Sequence, residues 1–195
     1  MSPQDFILPL ITQAPAEVIG DWYGMHVRIG ETLGARLGDD KETVRFTYAD
    51  EPTLDRPGCA VRIRCNDAAT VAAMKAFALP SEPSDALAVE GGEVQVSITM
   101  SGRVSRRYDV KPIEGVVIRA LRRNGFELAD DTHVDVQVTP YGFRKGHGRR
   151  FTIPGCRLKL RARIADAEMV RCALAKGIGR DRGMGFGMIV LGEVS

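Results

Sequence analysis

The stretch from Gly177 to Gly187 reads GIGRDRGMGFG, and the apolar run MIVL follows it at 188–191. Five of these eleven residues are glycine, although each glycine costs backbone entropy when the chain folds. So dense a run indicates a tight loop that needs positive φ angles and close backbone approach. Successive N–H groups in such a loop can also form a concave site for an anion such as a phosphate.

The order of the elements around this loop excludes two common nucleotide-binding motifs. We predict a helix over 166–176 before the loop and a strand over 184–191 at its end, whereas a dinucleotide fingerprint follows a strand and opens a helix. A P-loop is excluded because no Lys-Ser or Lys-Thr pair follows the glycines. The loop is therefore either a tight turn before the last strand or a backbone site for a phosphate chain.

The composition is that of a globular protein with a mainly aliphatic core. Hydrophobic residues make up 44% of the 195 residues, and aromatic residues 6%. No apolar run is long enough to span a bilayer, and the start of the chain lacks the basic region of a signal peptide. Four cysteines include no C-x-x-C pair. We expect a cytoplasmic protein with reduced thiols, no membrane partner, no metal site and no small-molecule cofactor.

The charge is divided unevenly along the chain. Residues 1–100 carry 8 Lys and Arg against 15 Asp and Glu, a net charge of −7. Residues 101–163 carry 15 against 6, a net charge of +9. This asymmetry predicts a basic face that binds a polyanion, and it favours nucleic acid over a simply solvated surface.

The pattern of strands and helices occurs twice. The first half predicts strands and helices in the order β-α-β-β-α-β. The first five lie over 6–11, 15–33, 43–49, 59–65 and 67–77, and the irregular stretch 79–92 contains the final edge strand and a linker. The second half repeats that order over 94–100, 112–124, 132–139, 151–164, 166–176 and 184–191. This order is the ferredoxin-like, or RRM-like, unit. We therefore predict an α+β fold of two tandem ferredoxin-like domains, an N-terminal one over 1–92 and a C-terminal, RNA-binding one over 93–195 with the glycine-rich loop.

The first predicted helix carries a histidine beside its buried face. The helix begins near Pro15, and its core-facing stripe consists of Val18, Trp22, Met25, Ile29 and Leu33. His26 lies on the shoulder of this stripe, with Tyr23 one turn before it. A histidine has a pKa suited to proton transfer near neutral pH. A structural role for a histidine at such a position remains the alternative.

Basic residues of the second half form three candidate RNA-binding groups. The predicted helix over 112–124 has three arginines on its outer face, which suit the phosphates along an RNA groove. The strand connection at 141–150 is a basic finger, in which Tyr141 or Phe143 could stack on a base. Ordinary solvation of the helix and an exposed hairpin tip remain the alternatives. The residues are Arg103, Arg106 and Arg107 before the helix, Arg119, Arg122 and Arg123 on it, and Arg144, Lys145, His147, Arg149 and Arg150 in the finger.

If the chain is a nuclease, we expect it to work without a metal ion, because its three histidines are dispersed and no carboxylate cluster is evident. In the metal-free route the ribose 2′-OH attacks the adjacent phosphate and leaves a 2′,3′-cyclic phosphate and a 5′-OH. That route needs a general acid or base and a cation near the phosphate.

Two segments resemble one family of proteins. The run GIG, five residues, GFG and an apolar strand at 177–191 resembles the C-terminal glycine-rich loop of the RAMP superfamily of CRISPR-associated proteins. The segment DWYGMH at 21–26 resembles the first helix of the repeat-processing endoribonucleases in that superfamily, above all the CasE type of type I-E systems. Relatives in type I-F and type IV systems are also similar.

The resemblance implies a function and a set of site residues. The family's two ferredoxin-like domains bind a hairpin in the repeat of the CRISPR precursor RNA and cut at its 3′ base without a metal. The crRNA product stays bound and joins other subunits in a surveillance complex. By resemblance, His26 is the general acid or base and Tyr23 its partner, and the RNA-contacting or fold-bearing loop contains Gly177, Gly179, Gly185 and Gly187.

Two other functions remain open on the sequence. One is a non-catalytic, RNA-binding RAMP subunit of a crRNA complex, in which His26 is structural. The other is a ferredoxin-like protein adaptor that binds no RNA and uses its acidic first half. The basic segment 101–163 argues against the adaptor, and the pair Tyr23 and His26 argues against the non-catalytic subunit.

Overall fold

A computed structural model describes nine stretches of the chain: residues 3–9, 19–37, 46–51, 60–76, 78–81, 84–102, 113–129, 132–145 and 149–194. The strands are β1 (Gln4–Pro9), β2 (Ile19–Asp21), β3 (Phe46–Asp50), β4 (Ala60–Cys65), β5 (Leu79–Ser81), β6 (Glu93–Ser101), β7 (Phe126–Glu127), β8 (Val134–Lys145), β9 (Arg149–Ile164) and β10 (Ile189–Gly192). The helices are α1 (Trp22–Leu37), α2 (Ala68–Met74), α3 (Ile113–Arg122) and α4 (Ala167–Lys176), and short 3-10 turns occur at Ser84–Leu87 and Arg182–Met184.

The first sheet has the strand order β3-β4-β1-β5, with every pair antiparallel. In chain order these are its second, third, first and fourth strands, which is the arrangement of the ferredoxin-like fold. Strand β4 is buried along its whole length, because the helices of the first half cover one of its faces and Arg64 on the other face reaches α4. Its apolar residues Val61 and Ile63 are in one core cluster with Leu33 of α1 and Met74 of α2.

The second sheet repeats this arrangement. Its order is β10-β6-β9-β8-β2, so its first four positions hold, in chain order, the fourth, first, third and second strands of the second ferredoxin-like unit. β2 extends the sheet in parallel with β8, and β7 pairs with the end of β9. The predicted α+β fold of two ferredoxin-like units is therefore confirmed. The domain boundary between residues 92 and 93 stays a prediction.

Two hydrophobic clusters hold these layers together. The first lies between the second sheet and helices α3 and α4, because alternate residues of β6 and β9 such as Val96, Ile98 and Leu158 point toward the buried faces of the helices. The second cluster takes residues from both halves, including Trp22 and Tyr48 from the first and Tyr141 and Phe186 from the second. The two halves therefore share a core.

Three predicted boundaries are corrected by the structure. The first helix begins at Trp22 and not near Pro15, since Ile19–Asp21 pair with β8. This pairing is non-local and leaves no mark on helical periodicity. The strand predicted over 184–191 begins only at Ile189, because Gly185 and Gly187 have φ values of 81° and 80°, which an extended strand does not allow.

The third correction concerns the basic loop predicted over 141–150. Strand β8 runs to Lys145 and β9 begins at Arg149, so most of that stretch is paired hairpin. None of the helices in the described part of the chain is long and apolar enough to cross a membrane.

Candidate active-site helix and nucleic-acid interface

Helix α1 contains the two residues predicted to carry the chemistry. Tyr23 is the second residue of α1, and His26 lies one turn after Trp22. Of the predicted core stripe, Trp22, Ile29 and Leu33 are buried, and Met25 is partly buried and packs against the same cluster. Val18 lies outside the described residues. The structure describes the helical backbone at Tyr23 and His26 and leaves their side chains outside the described part, so their roles stay predictions.

The first residue of α1 is held in an aromatic cluster. The ring of Trp22 lies 5.5 Å from that of Tyr48 and 5.3 Å from that of Tyr141. Tyr141 in turn meets Phe186 edge to face at 5.5 Å. The Tyr48 hydroxyl donates a hydrogen bond to the carbonyl oxygen of Trp22 at 3.3 Å. Aromatic pairs at such distances stabilise a structure beyond their buried area, so this cluster anchors the start of α1.

The glycine-rich loop lies against the same cluster. Gly177, Gly179, Gly185 and Gly187 all have positive φ, between 68° and 83°. Three of their N–H groups donate inside the protein: Gly177 to the carbonyl of Ala173 at 2.8 Å, Gly185 to that of Arg182 at 3.2 Å, and Gly187 to that of Thr99 at 2.7 Å. These N–H groups are therefore already engaged. The contacts favour a fold-bearing role for the loop, and contact of the loop with RNA stays a prediction.

A buried polar network joins the two halves beside this cluster. The hydroxyl of Tyr141 donates to Oδ2 of Asp50 at 2.8 Å, and Nη2 of Arg157 donates to the carbonyl of Glu51 at 2.7 Å. Nε of Arg157 lies 4.0 Å from Oδ2 of Asp50. Burial, followed by the charge of Asp50, raises the pKa of Tyr141 far above its ordinary value. Tyr141 therefore stays a neutral hydrogen-bond donor to the buried carboxylate.

The prediction that Tyr141 or Phe143 stacks on a base is wrong. Tyr141 is 0% exposed and Phe143 2% exposed, and Phe143 stacks on Phe151 at 5.3 Å. Successive side chains of a strand point to opposite faces, so residues 141 and 143, two apart, share one face. That face of β8 packs into the shared core. A period-2 pattern places them on one face but does not identify which face is buried.

A second polar link between the halves centres on a buried arginine. Arg64 of β4 makes two bonds to Asp5, with Nε to Oδ1 at 2.6 Å and Nη2 to Oδ2 at 2.7 Å. Its Nη1 donates to the carbonyl of Leu174 in α4 at 2.7 Å. Arg62 contributes further bonds to Asp5 and to Glu51. Sequence reasoning missed this cluster, whose only signal is the unusual Arg-x-Arg spacing on a buried strand.

The predicted arginines lie on the exposed side at the end of α3, with Arg119 and Arg122 inside the helix and Arg123 directly after it. Arg119, Arg122 and Arg123 are all exposed, whereas Val117 and Leu121 of the same helix are fully buried. Nη2 of Arg122 donates to the carbonyl of Leu128 at 3.0 Å. The helix therefore presents a cationic face to solvent, as its periodicity predicts. The group that precedes the helix, Arg103, Arg106 and Arg107, lies outside the described residues.

The hairpin of β8 and β9 brings four cationic positions together. The register pairs Arg144 with Arg150 and Lys145 with Arg149, and His147 lies outside the described residues. Like charges directly opposite one another on neighbouring strands disfavour a sheet. A nearby polyanion relieves that repulsion, so this hairpin end is suited to bind one.

An open groove of about 720 Å³ lies on the outer face of the second sheet, and His133 is one of its lining residues. Its distribution of charge differs from that of the hairpin end. Here the cationic residues of β9 are matched by acids on the neighbouring strands, with Asp135 opposite Lys159 and Glu93 opposite Arg163. Nη1 of Arg163 also lies 3.6 Å from Oε2 of Glu127. The groove is therefore balanced in charge and less suited to a polyanion than the hairpin end. Among the described residues, no group of three or more His, Cys, Asp or Glu is placed to hold a metal ion.

Comparison with known proteins supports the family resemblance. Residues 102–192 match the family model described as CRISPR associated protein. No curated protein matches the chain. The predicted resemblance to CRISPR-associated proteins is thereby confirmed through the second half of the chain.

Solved structures match nearly the whole length of the chain. Cse3 of Thermus thermophilus, bound to an RNA that represents a pre-cleavage complex, has a TM-score of 0.66 at 18% identity, over 99% of this chain and 100% of that one. Cas6e of Escherichia coli str. K-12 has a TM-score of 0.56 at 18% identity, over 98% and 100%. A chain of a CRISPR RNA-guided surveillance complex has a TM-score of 0.54 at 16% identity, over 100% of both. At these identities the matches establish a shared fold.

Proposed function

We propose that this chain, which shares its fold with Cse3 and Cas6e and matches a CRISPR-associated family through its second half, is a repeat-processing endoribonuclease. Its substrate is the CRISPR precursor RNA, which it cuts at the 3′ base of the repeat hairpin. It acts in the cytoplasm and keeps the mature crRNA bound after cleavage.

The proposal rests on the proximity of the start of α1 to the basic end of the β8–β9 hairpin. β2 runs parallel to β8, with Asp21 paired to Gly142, and α1 begins at the next residue, Trp22. Two residues beyond Gly142, roughly 7 Å along the strand, β8 reaches the cationic positions of the hairpin end. The start of the helix that bears Tyr23 and His26 therefore lies beside the part of the molecule best suited to an RNA backbone.

The proposed chemistry is an intramolecular transesterification. The ribose 2′-oxygen bonds to the adjacent phosphorus as its proton passes to a base, and the bond from phosphorus to the 5′-oxygen breaks as that oxygen takes up a proton. The products carry a 2′,3′-cyclic phosphate and a 5′-OH. His26 performs one of these proton transfers, Tyr23 assists it, and cationic side chains of the hairpin stabilise the phosphorane charge. No metal ion is required in this route.

The proposed partners follow from the same relatives. Cse3 is known bound to RNA, and a structurally similar chain occurs in an RNA-guided surveillance complex. We expect this chain to bind the repeat hairpin through α3 and the β8–β9 hairpin, and to remain on the crRNA when other subunits assemble.

The experiment compares three proteins in EDTA on a labelled transcript of the host's CRISPR repeat. The wild type should cut at the hairpin base and leave an end that resists phosphatase until the cyclic phosphate is opened by acid. His26→Ala should lower the single-turnover rate by about 10²–10⁴-fold, the usual contribution of a general acid or base. His133→Ala is the matched control, because this exposed histidine lies in the charge-balanced groove, and it should cleave like the wild type.

Each other result points to a different function. Tight hairpin binding without cleavage would identify a non-catalytic RAMP subunit. Equal cleavage by the wild type and His26→Ala would remove His26 from the chemistry. Binding that fails altogether would favour the protein-adaptor function.

A further inference from the structure

The geometry points to a positioning role for the glycine-rich loop: Gly185 and Trp22 form a tight contact that fixes the first turn of α1, and thereby Tyr23 and His26. The catalytic part of this inference rests on the proposed function. Trp22 and Gly185 are positioning residues here, and neither is proposed to touch the RNA.

Gly185 is the residue of the loop that faces α1. It is buried, has φ +81°, and donates its N–H to the carbonyl of Arg182. A Cβ at this position would overlap Nε1 of the Trp22 indole and lie 2.9 Å from Cε2 of Tyr48. Both neighbours are rings in a packed core, so neither yields as the tip of a flexible side chain would. Only glycine leaves room for the indole.

The indole is 1% exposed and is packed by two further rings. Tyr48 and Tyr141 pack against it within 5.5 Å between ring centroids, and the Tyr48 hydroxyl bonds to the Trp22 carbonyl. Protein interiors have few voids that could absorb a displaced ring. An added methyl group at Gly185 therefore moves Trp22, and with it the first turn of α1.

A displaced first turn matters for catalysis because the two proposed catalytic residues lie in the same stretch of α1. Tyr23 is the next residue and His26 lies one turn further, so both backbone positions move with Trp22. A shift of about 1 Å in reacting groups can cost about 100-fold in rate. Binding of the hairpin through the cationic surfaces depends much less on this turn.

The other glycines of the loop have different neighbours. Cβ atoms at Gly177 and Gly187 would meet backbone carbonyl groups within the loop itself. A Cβ at Gly179 would lie 2.6 Å from Cε of Met100, the end of a flexible side chain. Gly91, outside the loop, has φ +77°, and the nearest atom to a Cβ there would be Nη2 of Arg163 at 3.7 Å, so Gly91→Ala imposes the same kind of backbone strain without touching Trp22 or the glycine-rich loop. It is the matched control for Gly185→Ala.

The test uses the fact that Trp22 is the only tryptophan of the chain. Intrinsic fluorescence, hairpin affinity and single-turnover cleavage at saturating RNA are measured for the wild type, Gly185→Ala, Gly91→Ala, Trp22→Phe and the double variant Gly185→Ala/Trp22→Phe. Phenylalanine is a mild replacement, because Nε1 of Trp22 has no hydrogen-bond partner among the described residues.

We expect Gly185→Ala to shift the tryptophan emission and to lower the cleavage rate by about 10–100-fold, with hairpin affinity within about twofold of the wild type. Gly91→Ala should leave the emission unchanged and the rate within about threefold, since its strain lies at a position that contacts neither Trp22 nor α1 and so leaves the reacting groups in place. In the Trp22→Phe background, Gly185→Ala should cost several-fold less than in the wild type, because the overlapping indole nitrogen is gone.

Equal losses of rate in Gly185→Ala and Gly91→Ala, or a fully additive double variant, would overturn the positioning role. If Gly185→Ala does not fold, the comparison of the double variant with Trp22→Phe decides the same question. If the wild type does not cleave, the proposed function fails, while the emission of Gly185→Ala against Gly91→Ala still decides whether the contact exists.

Discussion

The buried bond between Tyr141 and Asp50 predicts a defined loss of stability in Tyr141→Phe. The substitution keeps the ring in the shared core and removes the hydroxyl that donates to Oδ2 of Asp50 at 2.8 Å. A hydrogen bond to a charged group contributes roughly 1.5–3 kcal/mol. Because the guanidinium of Arg157 remains 4.0 Å from the same oxygen, we expect about 2 kcal/mol, in the lower half of that range. For a chain of this size the melting temperature then falls by about 4–8 °C.

The assay is urea unfolding at neutral pH of the wild type, Tyr141→Phe, Asp50→Asn and the double variant. With a neutral amide at position 50, the same loss of the hydroxyl should cost only about 1 kcal/mol. An unchanged unfolding midpoint in Tyr141→Phe would refute the reasoning. An equal cost in both backgrounds would show that the carboxylate charge adds nothing to the bond.

The same bond predicts how stability changes at alkaline pH. The pKa of Tyr141 is raised in the folded protein, so its contribution is complete below an unfolded-state pKa of about 10 and is lost as pH rises above it. Each pH unit beyond that point removes about 1.4 kcal/mol from this group. Between pH 10 and 11 the free energy of unfolding should fall less steeply in Tyr141→Phe than in the wild type. A steeper or equal decline would contradict the assignment.

Three further predictions concern other parts of the molecule. Arg150→Gln removes one member of a like-charge pair in the β8–β9 hairpin, so the protein should be no less stable. For binding of the RNA repeat hairpin, the slope of log affinity against log salt concentration should fall in magnitude by about 1. An unchanged slope would exclude a phosphate contact by Arg150. Cys172 is exposed, whereas burial raises the pKa of Cys65 to about 12, so Cys172→Ser should abolish rapid labelling by a thiol reagent at the described cysteines, as peptide mapping can show. Arg64→Met removes two of the bonds to the buried carboxylate of Asp5, which keeps only the bond from Arg62, so unfolding in urea should show a loss of about 3 kcal/mol, at the lower end of the range for a broken buried ion pair. A loss below about 1 kcal/mol would contradict this view of the cluster.

The sequence pattern was sufficient to predict a helix or strand where neighbouring residues alone determine that element. Helix α4 spans Ala167–Lys176 with Asp166 as its N-cap, close to the predicted 166–176, because the capping residue and the apolar period are both local. The same holds for β6, because polar and apolar residues alternate along its sequence. The exposed arginines of α3 follow from the 3.6-residue period of a helix.

The candidate site was only partly predictable. The sequence led to Tyr23, His26 and the four glycines through family resemblance, but the period of two in β8 could not tell that Tyr141 and Phe143 point into a core. Which face of a strand is buried depends on the elements that pack over it, and here Trp22, Tyr48 and Phe186 come from three distant segments.

The sequence by itself determined the two ferredoxin-like repeats, the cationic second half and the turn-forming glycines, because periodicity, charge and backbone freedom are properties of short segments. Only the tertiary structure decided that α1 begins at Trp22 beside β8, that the basic hairpin lies next to that start, and that Gly185 packs against the indole of Trp22. These features depend on pairing and packing between residues from opposite ends of the chain, and such contacts leave no trace in local composition.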